Sequence, residues 1–238
     1  MALFTLGVRG HAVGKIETER GAVNCNNSQG FRVHHMKFYC ATSGYIAVMS
    51  SMSSANYPNV VWGVVDNCEF FNCRVVAAGT SAMLTDGETQ HRLWAMDAPL
   101  GDQYAVYVED CRFDRSMSGN SMDANYGGRY VFRYNYVKNS LCEVHSVQGN
   151  NRAARTWEIY NNTFEAGPYN QWASMFIRGG TGVIFNNTIR GFNNTVALNN
   201  VRDTVSVETC GQCDGTSGWD QNTPGEAGAM GKPAKHPP

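Results

Sequence analysis

A four-residue phrase recurs six times along the chain, as HMKF, NCEF, DCRF, YNYV, NNTF and NNTI. Aligned on the second residue, the copies fall at Met36, Cys68, Cys111, Asn135, Asn162 and Asn187, between 24 and 43 residues apart. Three positions before each anchor lie Val33, Val65, Val108, Phe132, Ile159 and Ile184; two positions after it lie Phe38, Phe70, Phe113, Val137, Phe164 and Ile189. All of these positions are apolar. A chain that returns one residue type to one place every few tens of residues can bury it by stacking each copy on the copies above and below. That constraint selects a solenoid.

The segments before the anchors are rich in Val, Ile, Phe and Tyr and alternate apolar with more polar residues. In Trp157-Glu158-Ile159-Tyr160 the first and third side chains point one way, as in a strand. No segment repeats apolar residues three and four apart over the length a helix needs. A unit of this size is too short for repeated strand–helix–strand crossovers, yet long enough for three short strands joined by bends. The fold class is therefore all-β, a right-handed parallel β-helix of about six to eight coils. At the anchor, Asn135, Asn162 and Asn187 are expected to form a ladder of amides at a bend, because Asn tolerates the left-handed backbone region and can bond the equivalent amide one coil away. Cys68 and Cys111 would fill the same slot as small hydrophobes.

GVVDNCEFFNC (63–73), YVFRYNYVKNS (130–140), WEIYNNTFEA (157–166) and GVIFNNTI (182–189) carry a resemblance to the pectate-lyase-like superfamily of right-handed β-helices. It spans roughly residues 30 to 200. Residues 1–29 read as an irregular first coil or N-terminal cap, 30–209 as the β-helix, and 210–238 as a Gly- and Pro-rich tail with no strand or helix period. Residues 74–105 depart from the repeat, and either a hidden extra coil or a long excursion would account for them.

Composition narrows the function classes. Charged residues make up 16% of the chain and the formal net charge is -1, so bulk electrostatics give no nucleic-acid signal. No run approaches a membrane span, and the opening MALFTLGVRGHAVGK lacks the basic start of a signal peptide. The expectation is a cytoplasmic protein if the chain is complete, and an extracellular or virion protein if it is a fragment. Self-association through the solenoid's ends or a long side is expected in the latter case.

The eight cysteines do not demand a disulfide framework in a chain with ample core. Cys210-Gly-Gln-Cys213 could be a redox pair or half a thiolate metal site, but no second matching pair completes four ligands. Sequons begin at Asn26, Asn161, Asn186 and Asn193; the two beside the amide ladder would place a glycan where packing competes with it. His34 and His35, adjacent on a strand, should point to opposite faces and cannot share a metal. Gly127-Gly128 and Gly179-Gly180 lack the GKS or GKT of a phosphate loop and should relieve crowding at bends.

The middle of the solenoid holds the most varied chemistry. Ser121, His145, Trp172 and Ala197 each follow their anchors by ten positions, and equal offsets in stacked coils imply adjacency. Asp123, Glu143, His145 and Trp172 should then line one strip, with Arg152, Arg155 and Arg178 on neighbouring connections. Acid, imidazole, guanidinium and indole together suit sugars: the indole stacks on a pyranose and arginine forks onto a uronate carboxylate. Asp123, Arg152, Trp172 and Arg178 are the expected substrate-binding residues. His145, Arg155 and Glu143 are the expected catalytic ones, with His145 suited to act as a base near neutral pH.

The resemblance implies a polysaccharide lyase, in which an arginine serves as base beside the uronate carboxylate and calcium, held by acidic residues, neutralises it. Asp123 and Glu143 would be the acidic participants, although the dense Asp cluster of a strong calcium site is missing and no cofactor is required by the residues alone. The partner class is a polysaccharide or surface glycan. Two other readings stand beside the lyase: a non-catalytic glycan-binding or virion-fibre domain using the same strip, and a structural solenoid segment of a larger protein.

Overall fold

The computed structural model describes residues 22–26, 28–40, 45–52, 61–80, 99–117, 119–125, 127–144 and 154–198. The described chain opens with β1 (Val23–Asn24) and then passes through six strand triplets. These are β2 (Gln29–His34), β3 (Lys37–Tyr39) and β4 (Tyr45–Met52); β5 (Trp62–Asp66), β6 (Glu69–Phe71) and β7 (Cys73–Thr80); β8 (Val106–Glu109), β9 (Arg112–Asp114) and β10 (Asn120–Asn125). There follow β11 (Arg129–Arg133), β12 (Tyr136–Lys138) and β13 (Leu141–Val144); β14 (Thr156–Tyr160), β15 (Thr163–Glu165) and β16 (Ala173–Ile177); β17 (Thr181–Phe185), β18 (Thr188–Arg190) and β19 (Asn194–Leu198). The third strand of each triplet, with β1, forms the seven-stranded sheet A; the first strands form sheet B and the second strands sheet C, six strands each. All strand pairings are parallel, so the chain steps around three stacked sheets as a β-helix solenoid does. No helix occurs among the described residues, and none is therefore long and apolar enough to cross a membrane.

The interior is three ladders of like residues. In sheet B, Val33, Val65, Val108, Phe132, Ile159 and Ile184 are register partners from coil to coil. In sheet C, Phe38, Phe70, Phe113, Val137, Phe164 and Ile189 do the same. Phe38, Phe70 and Phe113 stack nearly coplanar, with ring centroids 5.0 and 4.5 Å apart. Both ladders are those expected from the anchor offsets. The third, in sheet A, is Val23, Val48, Val75, Met122, Cys142, Met175 and Val196. It follows no constant offset from the anchors, because the bend between sheets C and A varies in length.

The corner between sheets B and C corrects one expectation. The left-handed residue is the one before the anchor, namely His35, Asn67, Asp110, Tyr134, Asn161 and Asn186, with φ between 51° and 57°. That frees the anchor side chain to point inward, where it replaces sheet hydrogen bonds that the corner interrupts. The Asn135 backbone N–H donates to Asn162 Oδ1 (2.9 Å), and Asn162 N–H donates to Asn187 Oδ1 (3.0 Å). Each Nδ2 donates to the ladder carbonyl of the preceding coil: Asn135 to Val108 O, Asn162 to Phe132 O and Asn187 to Ile159 O, at 2.8 to 2.9 Å. The same left-handed corner turns His35 out of strand geometry, so His34 and His35 do not diverge; their Nδ1 atoms lie 2.9 Å apart.

Cysteine continues the ladder in a weaker form. Cys111 N–H donates to Asn135 Oδ1 (2.9 Å), whereas Cys68 N–H meets the sulfur of Cys111 at 3.4 Å. The Cys68 and Cys111 thiols sit 3.7 Å from Val33 O and Val65 O, the carbonyls an Asn amide would reach. These thiols are thus core fillers, as expected, and also soft stand-ins for the amide.

Coils two and three pair directly in every sheet, β5 with β8, β6 with β9 and β7 with β10. An extra coil between them would have separated these strands, so the long 74–105 stretch adds no coil to the stack. β1 pairs with β4, which places residues 23 and 24 on sheet A. The expected tail and the Cys210–Cys213 pair, with residues 1–21, lie outside the described residues. At the bends, Gly127 and Gly180 adopt φ of 81° and 75°, and a Cβ on Gly180 would meet Ala154 O at 2.7 Å.

Ile159 is fully buried in its ladder. Ile159→Ala should cost about 2 to 4 kcal/mol through lost transfer energy and a cavity. Asn162→Ala should cost a similar amount, about 2 to 4 kcal/mol, since it strands both the Asn135 N–H and the Phe132 carbonyl. Urea unfolding of the two variants checks this. A loss under about 0.5 kcal/mol at Asn162 would show that the amide rung does not hold the corner.

Candidate functional site

Along the outer face of sheet A, alternation sends Asp123 and Glu143 outward because their neighbours Met122, Cys142 and Val144 fill the interior. The face begins apolar, with Ile46, Met49 and Val76 packed together and buried. It then becomes polar. Arg74 Nη1 donates to Asn120 Oδ1 (3.0 Å) and lies 3.5 Å from Asp123 Oδ2. Asn120 Nδ2 donates to Glu143 Oε2 (2.5 Å), and Arg178 Nη2 donates to Glu143 Oε1. The Arg178 guanidinium lies over the Phe176 ring at 4.8 Å, and Trp172 meets the same ring edge-on with centroids 4.8 Å apart. Trp172 itself is 46% exposed.

The structure thus gathers Asp123, Glu143, Trp172 and Arg178 on one strip. It does so by a different route from the offset count. Ala197 pairs with Phe176, and Glu143 pairs with Phe176 as well, so Trp172 lies before this row and reaches it through its ring contact. Arg155 is placed on the connection entering β14, its N–H donating to Gly128 O (2.8 Å) and its carbonyl accepting from Thr181 N–H (3.1 Å). His145 and Arg152 lie outside the described residues. Arg74, Asn120 and Phe176, which tie the strip together, were not among the expected site residues. Arg74 and Asn120 follow bends of varying length, so no repeat offset marks them.

The strip is charge-matched: two carboxylates face two guanidiniums, with side-chain exposures of 3% and 17% for the acids and 25% and 21% for the arginines. Among the described residues, no three His, Cys, Asp or Glu side chains converge as a metal site. Asp123 and Glu143 are each directed at an arginine. What the strip can do is present a guanidinium fork, an amide and an indole to a polar, ring-bearing ligand.

Sheet B carries a second outward row, His34, Asp66, Glu109, Arg133, Tyr160 and Phe185. Every member lies two positions before an anchor, so the repeat marks it, and none of its members is among the expected site residues. Arg133 Nε donates to Glu109 (2.7 Å), its Nη1 donates to Tyr160 Oη (3.0 Å), and its guanidinium lies 5.0 Å from the Tyr107 ring centre. Tyr160 stacks on Phe185 with centroids 4.6 Å apart. Arg32 forks onto both oxygens of Asp66 at 2.8 Å, and Asn67 Nδ2 donates to the same carboxylate (2.9 Å). These groups satisfy one another and brace neighbouring coils.

No family model, curated protein or solved structure matches this chain.

The Arg32 fork, helped by Asn67, holds the Asp66 carboxyl below the usual carboxylate range against the opposing effect of burial. A carboxyl whose pKa is lower folded than unfolded adds stability above its unfolded value, about 3.9, and loses it as pH falls through the folded value. Asp66→Asn should therefore be less stable than wild type near neutrality, with the gap closing below about pH 4. Urea unfolding across this range tests it; a constant gap at every pH would rule out the linkage.

Proposed function

We propose that this chain is a right-handed, carbohydrate-active parallel β-helix of the pectate-lyase-like type, with about six to eight coils. Its ligand would be a uronate-containing polysaccharide lying along the outer face of sheet A. The right hand is supported by the strong preference of parallel crossovers for that twist. The observation that carries the functional reading is the strip itself. Arg178, steadied by Glu143, lies over the Phe176 ring that the half-exposed Trp172 meets edge-on, and Arg74, held by Asn120 and Asp123, follows further along the same face. Arginine recognises a sugar carboxylate through its planar fork, while the indole covers a ring face. His145, Arg155 and Arg152 would complete the site, with Arg155 or His145 taking the proton beside the uronate carboxylate.

A second reading is favoured by a specific feature. Both described carboxylates are already matched by arginines, so the strip offers binding groups more readily than a free carboxylate base. A non-catalytic glycan-binding or virion-fibre domain would use it in that way, with self-association along a side or end.

A screen of polyuronates, with and without added calcium, separates the two by the ultraviolet absorbance of the unsaturated product. A lyase yields product, and His145→Ala and Arg155→Lys should each lower turnover while the unfolding midpoint stays near wild type. A binder retains polyuronate on an affinity gel without turnover. In either case Trp172→Ala and Arg178→Lys should weaken retention about tenfold, roughly 1.4 kcal/mol. Neither product nor retention with any polyuronate would overturn the proposal.

A further inference from the structure

Among the described residues all three sheets finish on the sixth strand triplet, sheet B at β17, sheet C at β18 and sheet A at β19. The ladder residues show that this end lacks the cover its predecessors have. One coil earlier Ile159, Phe164 and Met175 are fully buried, whereas Ile184, Ile189 and Val196 are only partly buried. Phe185 and Leu198 beside them are 45% and 75% exposed. Such an end presents apolar side chains together with a strand edge, the combination that a further strand covers.

The corner between sheets B and C defines what that strand must supply. In each earlier coil the ladder carbonyl accepts from the next coil's anchor, Val33 and Val65 from a thiol and Val108, Phe132 and Ile159 from an amide. From Cys68 onward the anchor N–H also meets the next anchor's side chain, as Cys68 does Cys111 Sγ and Asn162 does Asn187 Oδ1. Ile184 O and Asn187 N–H hold the same places in the sixth coil, and no seventh anchor stands beyond them among the described residues.

The sequence contains one. Val207-Glu208-Thr209-Cys210 repeats Val65-Asp66-Asn67-Cys68 and Val108-Glu109-Asp110-Cys111, with Val three before the anchor, an acid two before it and Cys at the anchor. Five before it, Val205 matches Val106, an inward-facing residue of β8. The spacing is one the stack already uses: residues 178–180 link β16 to β17 and 145–155 link β13 to β14, and 199–204 would link β19 to Val205. Two positions differ from the six coils. Thr209 takes the left-handed place, where the others carry His, Asn, Asp or Tyr and a β-branched residue is strained. Gln212 stands two after the anchor, where the others are apolar, so the sheet C ladder stops there, as suits a terminal coil whose outer surface meets water.

We propose that the open end of the stack is a docking surface for this chain's own residues 205–210, which add a seventh strand to sheet B along β17. Val207 stacks on Ile184, and Cys210 enters the anchor row beyond Asn187. The Cys210 sulfur accepts from Asn187 N–H and its thiol donates to Ile184 O, the two contacts that Cys111 makes with Cys68 and Val65. Cys210 is then a buried rung of the corner, not half of a redox or metal pair with Cys213.

The test is pulsed alkylation of the folded, full-length chain with iodoacetamide in reducing buffer, with glutathione as the reference thiol, mapped by mass spectrometry at two protein concentrations. Cys210 should label at least about tenfold more slowly than glutathione at both concentrations. Val207→Asp should bring Cys210 close to the glutathione rate while Cys68 and Cys111 stay protected. Thr209→Asn, which relieves the left-handed strain, should slow Cys210 labelling about threefold or more. If Val207→Asp fails to fold, wild type and Thr209→Asn decide. A wild-type Cys210 that labels as fast as glutathione, or whose rate Thr209→Asn leaves unchanged, would overturn the assignment. Protection that is lost on dilution would also overturn it, by making a second copy of the chain the occupant.

Discussion

The solenoid depends on how it satisfies the backbone where sheet B turns into sheet C. A corner interrupts the sheet ladder and leaves an anchor N–H and a strand carbonyl in the interior, and an unpaired buried group of either kind is costly. Asn135, Asn162 and Asn187 answer both demands at once, each accepting from one coil's N–H and donating to its carbonyl. The geometry works only if a single left-handed residue makes the turn, as His35, Asn67, Asp110, Tyr134, Asn161 and Asn186 do. A corner of fixed length locks the register of the two strands beside it. The stacking of Val on Val and Phe on Phe then follows.

That fixed corner also explains which parts of the fold were legible in the amino-acid sequence. Sheets B and C sit at constant distances from the anchor, so both of their ladders could be named residue by residue. Sheet A could not. Met122 follows its anchor by 11 residues, Cys142 by 7 and Met175 by 13, because the second bend is two-sided: some coils turn through a left-handed Asn, others through Arg115 or Ala166. The strip on sheet A inherited this uncertainty. Asp123, Glu143, Arg178 and Trp172 do share a face, but Trp172 joins it through Phe176, a link that counting from the anchors misses. The outward row of sheet B was available from the same alignment that found the core. Its residue types change from coil to coil, from His34 and Asp66 to Tyr160 and Phe185, so spacing without a shared chemistry does not single it out.

The outer faces differ in what they leave for a ligand. On sheet B, Arg133 is claimed by Glu109, Tyr160 and Tyr107, and Asp66 by Arg32 and Asn67, a set of contacts that ties coils together. On sheet A the charges are also matched, but Trp172, packed edge-on against Phe176 of that row, has nearly half its surface in solvent. A glycan laid there would add contacts to arginines already oriented by their carboxylates, avoiding much of the entropy lost when free side chains are ordered on binding.

The rungs at the corner are not equal along the axis. From Cys111 onward they are amides with donor–acceptor distances near 2.9 Å; before it they are thiols at 3.4 to 3.7 Å, and the first position is Met36, which has no strong donor or acceptor. In a stack where each coil contacts only its neighbours, stability is close to a sum of nearest-neighbour couplings. The corner's share of that coupling therefore rises from the first described coil towards the later ones, so this corner has a polarity in cohesion as well as in chain direction. At this corner the rungs near Met36 and Cys68 are the ones that part most easily, and the Asn rungs are the stiffer ones against which they close.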